Sequence, residues 1–149
     1  MTKQLIVFVM LVSSALCEIY TLGDFNLLSS ISEVRALCED MKLIEDKGFS
    51  RHYSISQNDG FEWKLFFFKN DKNEYYLSQI HLIKDGTVYS DYVELSNEIA
   101  HVQGRNPDII DTPGILPWYS SNWNSTYTHM GVIFNPKMGR ILVELKLAR

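Results

Sequence analysis

"YYLSQIHLIKDGTVYSDYVEL", residues 75–95, decides how this chain is read. Two runs rich in aromatic and β-branched residues flank Asp85-Gly86, a dipeptide that tolerates positive φ at both positions. The stretch therefore predicts a β-hairpin, with Lys84 opposite Thr87 across the turn. In that register His81 faces Ser90 and Gln79 faces Tyr92, while Asp91 belongs to the other side. Gln79, His81, Ser90 and Tyr92 would then form one polar patch. An imidazole beside a hydroxyl and a phenol can do acid–base work in a cup-shaped site, and equally can be the wet side of a sheet.

The hairpin implies an antiparallel sheet, and its neighbours extend it. "FEWKLFFFK" alternates Phe61, Trp63, Leu65 and Phe67 with Glu62 and Lys64, and "FSRHYSIS" is a weaker strand before it. "THMGVIFN" and "RILVELKLA" form a last hairpin through Pro136-Lys137-Met138-Gly139. Ser96 caps one or two helical turns up to Val102. From Asn26 to Lys47 the pattern is helical: Leu27, Ile31, Val34, Cys38 and Met41 recur every three or four residues, with Leu37 and Ile44 on the same side. Ser30-Ile31-Ser32-Glu33 reads as a capping box and Gly48 as the residue after the helix. The expected fold is α+β: an antiparallel sheet of about six strands packed on one long N-terminal helix, as a roll or half-open cup.

The strands alternate less sharply than a sheet with one wet side should. Phe66 and Phe68 share the second face of their strand, and Leu142 breaks the last one. Three things can cover that surplus: the 103–126 loop, a second chain in a homodimer, or a bound apolar ligand. The loop is long for a compact domain and carries Trp118, Tyr119 and Trp123, with Tyr127 just after it, residue types that anchor interfaces. These four are the expected binding residues, with packing against the sheet as the alternative.

The N-terminus reads as a secretory signal over residues 1–17. Lys3 precedes an apolar run from Leu5 to Val12, too short to span a membrane, and cleavage falls after residue 15 or 17. Residues 18–149 then form a single domain, secreted and extracellular. Cutting after Ala15 keeps Cys17, which could bridge to Cys38; cutting after Cys17 leaves Cys38 alone. Asn124-Ser125-Thr126 is a glycosylation sequon at Asn124. Of the 14 Lys and Arg, Lys3 leaves with the signal, so 13 face 18 acidic residues, a net charge of −5. With no basic stripe, nucleic acid and stable membrane insertion are not expected.

The chain has no Gly-rich phosphate loop, no His-Glu-x-x-His and no Gly-x-Ser-x-Gly. His52, His81, His101 and His129 show no ligand-type spacing. Glu98 and His101 share a helical face, but no second long helix supplies further ligands. No metal or cofactor is therefore expected. The leading expectation is a non-enzymatic binding protein whose aromatic surface or pocket captures a protein or a small apolar ligand; a small acid–base enzyme is the rival.

A helix followed by an antiparallel meander, with Leu22-Gly23 ahead of it and Pro117-Trp118 in a late loop, resembles the cystatin family of cysteine-protease inhibitors. The resemblance implies that a glycine segment, a Gln-x-Val-x-Gly hairpin and the Pro-Trp loop enter a protease cleft. Gln57-Asn58-Asp59-Gly60 is too short for that hairpin and lacks its Val, so the central wedge is missing.

Overall fold

The computed structural model describes residues 12–13, 18–57, 59–114 and 116–148. Among them, β1 (Val12–Ser13) pairs with β2 (Glu18–Ile19), and β3 (Thr21–Leu22) with β4 (Phe25–Asn26). Next come α1 (Ile31–Leu37), β5 (Lys42–Asp46), β6 (Ser50–Ser56), β7 (Glu62–Lys69), β8 (Tyr75–Asp85) and α2 (Tyr89–Gln103). The chain ends with β9 (Ile109–Asp111), β10 (Tyr119–Asn124), β11 (Thr128–Asn135) and β12 (Arg140–Leu147). Eight strands form one antiparallel sheet in the order β5-β6-β7-β8-β12-β11-β10-β9. Two four-strand meanders thus lie back to back, joined by α2, which carries the chain from β8 to the far edge.

This is a mostly β architecture, and it overturns the expected α+β sheet of about six strands on one long helix. The long helix over Asn26–Lys47 is not formed. Its capping box is real: Ser30 Oγ accepts from the Glu33 N–H at 3.2 Å, and Glu33 Oε2 accepts from the Ser30 N–H at 2.6 Å. The helix nevertheless stops at Leu37, because Cys38 is extended (φ −145°, ψ 103°) and only Val34 of the helix is buried. Lys42–Asp46 finds a cross-strand partner in β6 instead. Gly48, at φ +80°, turns that hairpin, and Asp46 Oδ1 accepts its N–H at 2.9 Å. A left-handed glycine serves a hairpin as readily as a helix end.

The 75–95 hairpin is also corrected. Gly86 does adopt a left-handed conformation (φ +71°), but Thr87 bonds elsewhere: its N–H and Oγ1 both donate to the Gly139 carbonyl, at 2.9 and 3.0 Å. Residues 89–103 then wind into α2 and bury Tyr92, Leu95, Ser96, Ile99 and Gln103, a helical spacing. Asp91 Oδ2 accepts the Val88 N–H at 2.9 Å, and Gly104 (φ +66°) closes the other end.

The core lies between one sheet face and a layer made of α2 and the 20–41 segment. Trp63, Leu65, Phe67, Ile80, Leu82, Val132, Val143 and Leu145 come from the strands; Leu22, Phe25, Val34, Tyr92, Leu95 and Ile99 come from the layer. Beyond the reach of β12, the start of β8 is covered by residues 28–30: the Leu28 N–H donates to the Leu77 carbonyl at 2.7 Å and the Leu77 N–H to the Ser29 carbonyl at 2.8 Å. The expected Cys17–Cys38 disulfide is not part of the fold, since Cys38 is a free, half-buried thiol packed against the core and Cys17 lies outside the described residues. Most of the segment read as a signal lies outside them too. Among the described residues no helix is long and apolar enough to cross a membrane.

Candidate functional site

The face of the sheet opposite the core is half-exposed and is organised as cross-strand rows. Ile83, Leu142 and Ile133 sit side by side in the first. Lys64, His81, Glu144, Gly131 and Asn122 form the second. The third holds His52, Phe66, Gln79, Lys146, His129 and Asn124. A bulge in the β7–β8 ladder produces this arrangement: Phe66 pairs with Gln79 but Phe67 with Leu77, so the extra residue Ser78 turns Leu77 into the core and leaves Gln79 and His81 on the open side.

Glu144 is the hub. Its Oε2 lies 2.9 Å from His81 Nε2, its Oε1 lies 2.8 Å from Lys146 Nζ, and His129 Nε2 is 3.9 Å away. Its side chain is 14% exposed. Burial alone would push this carboxyl up, but the hydrogen bonds from His81 and Lys146 outweigh it and hold the group at about 2. His129 is held below the usual imidazole range by burial and by the Lys146 charge, against the pull of Glu144. Phe66 is clasped between His52, edge-on, and His81, tilted, with ring centroids 4.5 and 4.6 Å away.

A relay of side chains fixes the far end of the second row. Ser120 Oγ donates to Asp111 Oδ2 and accepts from Asn122 Nδ2, both at 3.0 Å, which leaves Asn122 Oδ1 facing the sheet. His129 Nδ1 lies 2.6 Å from Asn124 Oδ1. A carbonyl oxygen can only accept, so Nδ1 carries the hydrogen and Nε2 presents a lone pair. Between them Gly131 has no side chain to interfere: a Cβ there would stand 3.1 Å from His129 Nε2 and 3.2 Å from Asn122 Oδ1. The result is a notch rimmed by acceptors. Beside it a groove of about 450 Å³ is lined by Gln79, His129, Lys146, Leu147 and Ala148. A second groove of about 320 Å³ adjoins it, sharing Gln79, Leu147 and Ala148 and adding Phe68, Tyr76 and Ser78.

The expected polar site is thus divided. Gln79 and His81 lie on the open face, but Ser90 and Tyr92 are on α2, across the sheet. Ser90 is exposed, and Tyr92 is buried with its hydroxyl 2.7 Å from Ser121 Oγ. His81 therefore has no hydroxyl partner from that pair, and the acid–base arrangement is not assembled. Its true partner, Glu144, is far away in sequence, and only the β8–β12 pairing joins them.

The expected aromatic anchors also separate. Trp123 is 1% exposed, sealed in the core with its Nε1 donating to the Arg105 carbonyl at 3.2 Å, so it anchors no partner. Tyr119 is half-buried among Tyr89, Tyr92 and Phe134, and Trp118 is half-buried too. Tyr127 is 58% exposed. A quarter of the expected loop is strand β10, whose Tyr119, Ser121 and Trp123 alternate toward the core. Asn124, expected to carry a glycan, instead spends its side chain on orienting His129. In the cystatin-like reading, Leu22 should enter a protease cleft, but it is 0% exposed and the long helix of that layout is missing. Among the described residues no group of three His, Cys, Asp or Glu is placed to hold a metal ion.

No family model matches the chain, and none of the curated proteins matches it either. Among solved structures it is similar to the crystal structure of a DUF4309 family protein, YjgB, from Bacillus subtilis. The two are 13% identical, with 80% of this chain and 79% of that one covered and a TM-score of 0.49.

Proposed function

We propose that the protein is a non-enzymatic binding domain that captures its ligand on the open face of the sheet, in the grooves that meet at Gln79. The observation that carries this reading is Gln79 itself. Its amide lines both grooves and has no hydrogen-bond partner among the described residues. An amide open to solvent where two grooves meet, and engaged by no side chain of the protein itself, is available to a ligand that enters either groove. Glu144, held at about 2, stays ionised near neutral pH and acts on this face as a fixed charge that orients its neighbours. The test is ligand-observed NMR with a library of amino acids, sugars, nucleotides and fatty acids, run on the protein and on Gln79→Ala. Hits that vanish in the variant support the reading, whereas hits indifferent to it overturn it.

A second reading is protein capture at the β9 edge. Ile110 is 63% exposed on a strand whose outer side is unpaired in the sheet, and Ile109 and Leu116 are exposed beside it. An open edge with apolar side chains is a template for strand addition. Trp118 and Tyr127 remain the aromatic residues that could widen such a surface.

A further inference from the structure

The chemistry of the open face specifies its ligand more narrowly, on the reading that this face binds at all. We infer that the groove and the notch together form an oligosaccharide-binding site: Asn122 Oδ1, His129 Nε2 and Glu144 Oε1 accept from the hydroxyls of one sugar unit, Gln79 and Lys146 donate along the chain, and the ring of another unit sits beside Phe68 and Tyr76.

Three observations lead there. First, charge is balanced locally. Lys146 lies 2.8 Å from Glu144, so an incoming cation meets the ammonium and an incoming anion meets the carboxylate. The site favours a neutral ligand. Second, the polar groups are mixed and their directions are fixed. Ser120 turns the Asn122 amide so that its oxygen faces the notch, and Asn124 leaves the His129 Nε2 lone pair facing the same place. Such acceptors need a ligand that brings hydrogens without charge, and a hydroxyl does so. Third, the adjoining groove supplies Phe68 and Tyr76 next to the unpartnered amide of Gln79. A pyranose has an apolar face of C–H groups and a rim of hydroxyls, so it matches an aromatic wall beside polar groups. A fatty acid would waste the acceptors, and a nucleotide would bring phosphates to Glu144.

The experiment uses the full chain with cellohexaose, maltohexaose, xylohexaose, mannohexaose and chitohexaose, by saturation-transfer NMR and calorimetry. At least one should bind with Kd on the order of 1 mM or tighter. Gln79→Ala and Tyr76→Ala, both at half-exposed positions, should each weaken that binding by about five- to tenfold, with the melting temperature as the folding control. No binding by any of the five, or binding that Gln79→Ala and Tyr76→Ala leave within twofold, overturns the inference. If the sugars fail while library hits of another class still vanish in Gln79→Ala, the saccharide assignment falls and the binding reading stands.

Discussion

Two rows of the same sheet, one residue apart along each strand, behave as different materials. Trp63, Leu82, Val143, Val132 and Ser121 lie side by side on the core face, all buried. One step on, Lys64, His81, Glu144, Gly131 and Asn122 lie side by side on the open face, every one polar or a glycine. Strand geometry alone separates them, because successive side chains point to opposite faces. The core row owes its energy to area removed from water. The open row owes its order to the core row, which holds five strands at fixed spacing so that polar atoms from distant parts of the chain meet.

That contrast can be broken at several places. The largest effect is expected at Trp63→Ala, which empties a fully buried site and should cost about 3–5 kcal/mol in denaturant unfolding. A loss well below that would mean the core face is loosely packed. On the open face the sensitive variable is pH. The Glu144 carboxyl is lower in the folded chain than its ordinary 4.5, at about 2, so the unfolded chain takes up the proton first as pH falls. Its stabilisation, up to about 3 kcal/mol, is present above pH 4.5 and is lost as pH falls toward 2. His129 acts in the same direction in a higher window: held below 6.5 when folded, it weakens the fold as pH drops beneath that value. Glu144→Gln should flatten the lower limb of the stability–pH curve, and an unchanged limb would remove Glu144 from its role as hub.

A smaller effect is expected where α2 meets the core face. Tyr92→Phe removes the buried bond to Ser121 and leaves that hydroxyl alone, at a cost of about 1–2 kcal/mol. The smallest is at the edge: Ile110→Lys should change stability by less than about 0.5 kcal/mol, since the residue is exposed. If it nevertheless abolishes capture of a protein partner, the β9 edge and not the open face is the binding surface.

Part of this was legible in the residues. β6, β7, β11 and β12 follow their alternation, β8 does so from Gln79 on but is shifted by the bulge at Ser78, the last hairpin turns where Pro136–Gly139 places it, and the Ser30 capping box forms. The errors have a common physical source. Asp85-Gly86 supplies the left-handed turn that a hairpin needs, but so does any exit from a strand, and Tyr92, Leu95, Ile99 and Gln103 were already at helical spacing. Ile44 fits the apolar helical stripe, yet it is exposed on an edge strand that exists only because β6 lies beside it. In "YSSNWN" the alternation of β10 is real but is hidden among Gly, Pro, Ser and Asn.

The candidate site was half legible. Gln79 and His81 could be placed on one face from strand period alone. Glu144, Lys146, His129 and Asn122 could not be joined to them, because the order of strands in a sheet is not a local property. By itself the sequence determined that this chain would be rich in antiparallel strands, which residues each strand would alternate, and where several turns would fall. All of these follow from backbone sterics and short-range periodicity. Only the tertiary structure decided that α2 crosses the core face and sets β12 beside β8. That choice rests on which long-range pairing buries the most apolar surface at once, and it is what brings His81 to Glu144 and creates the open-face site.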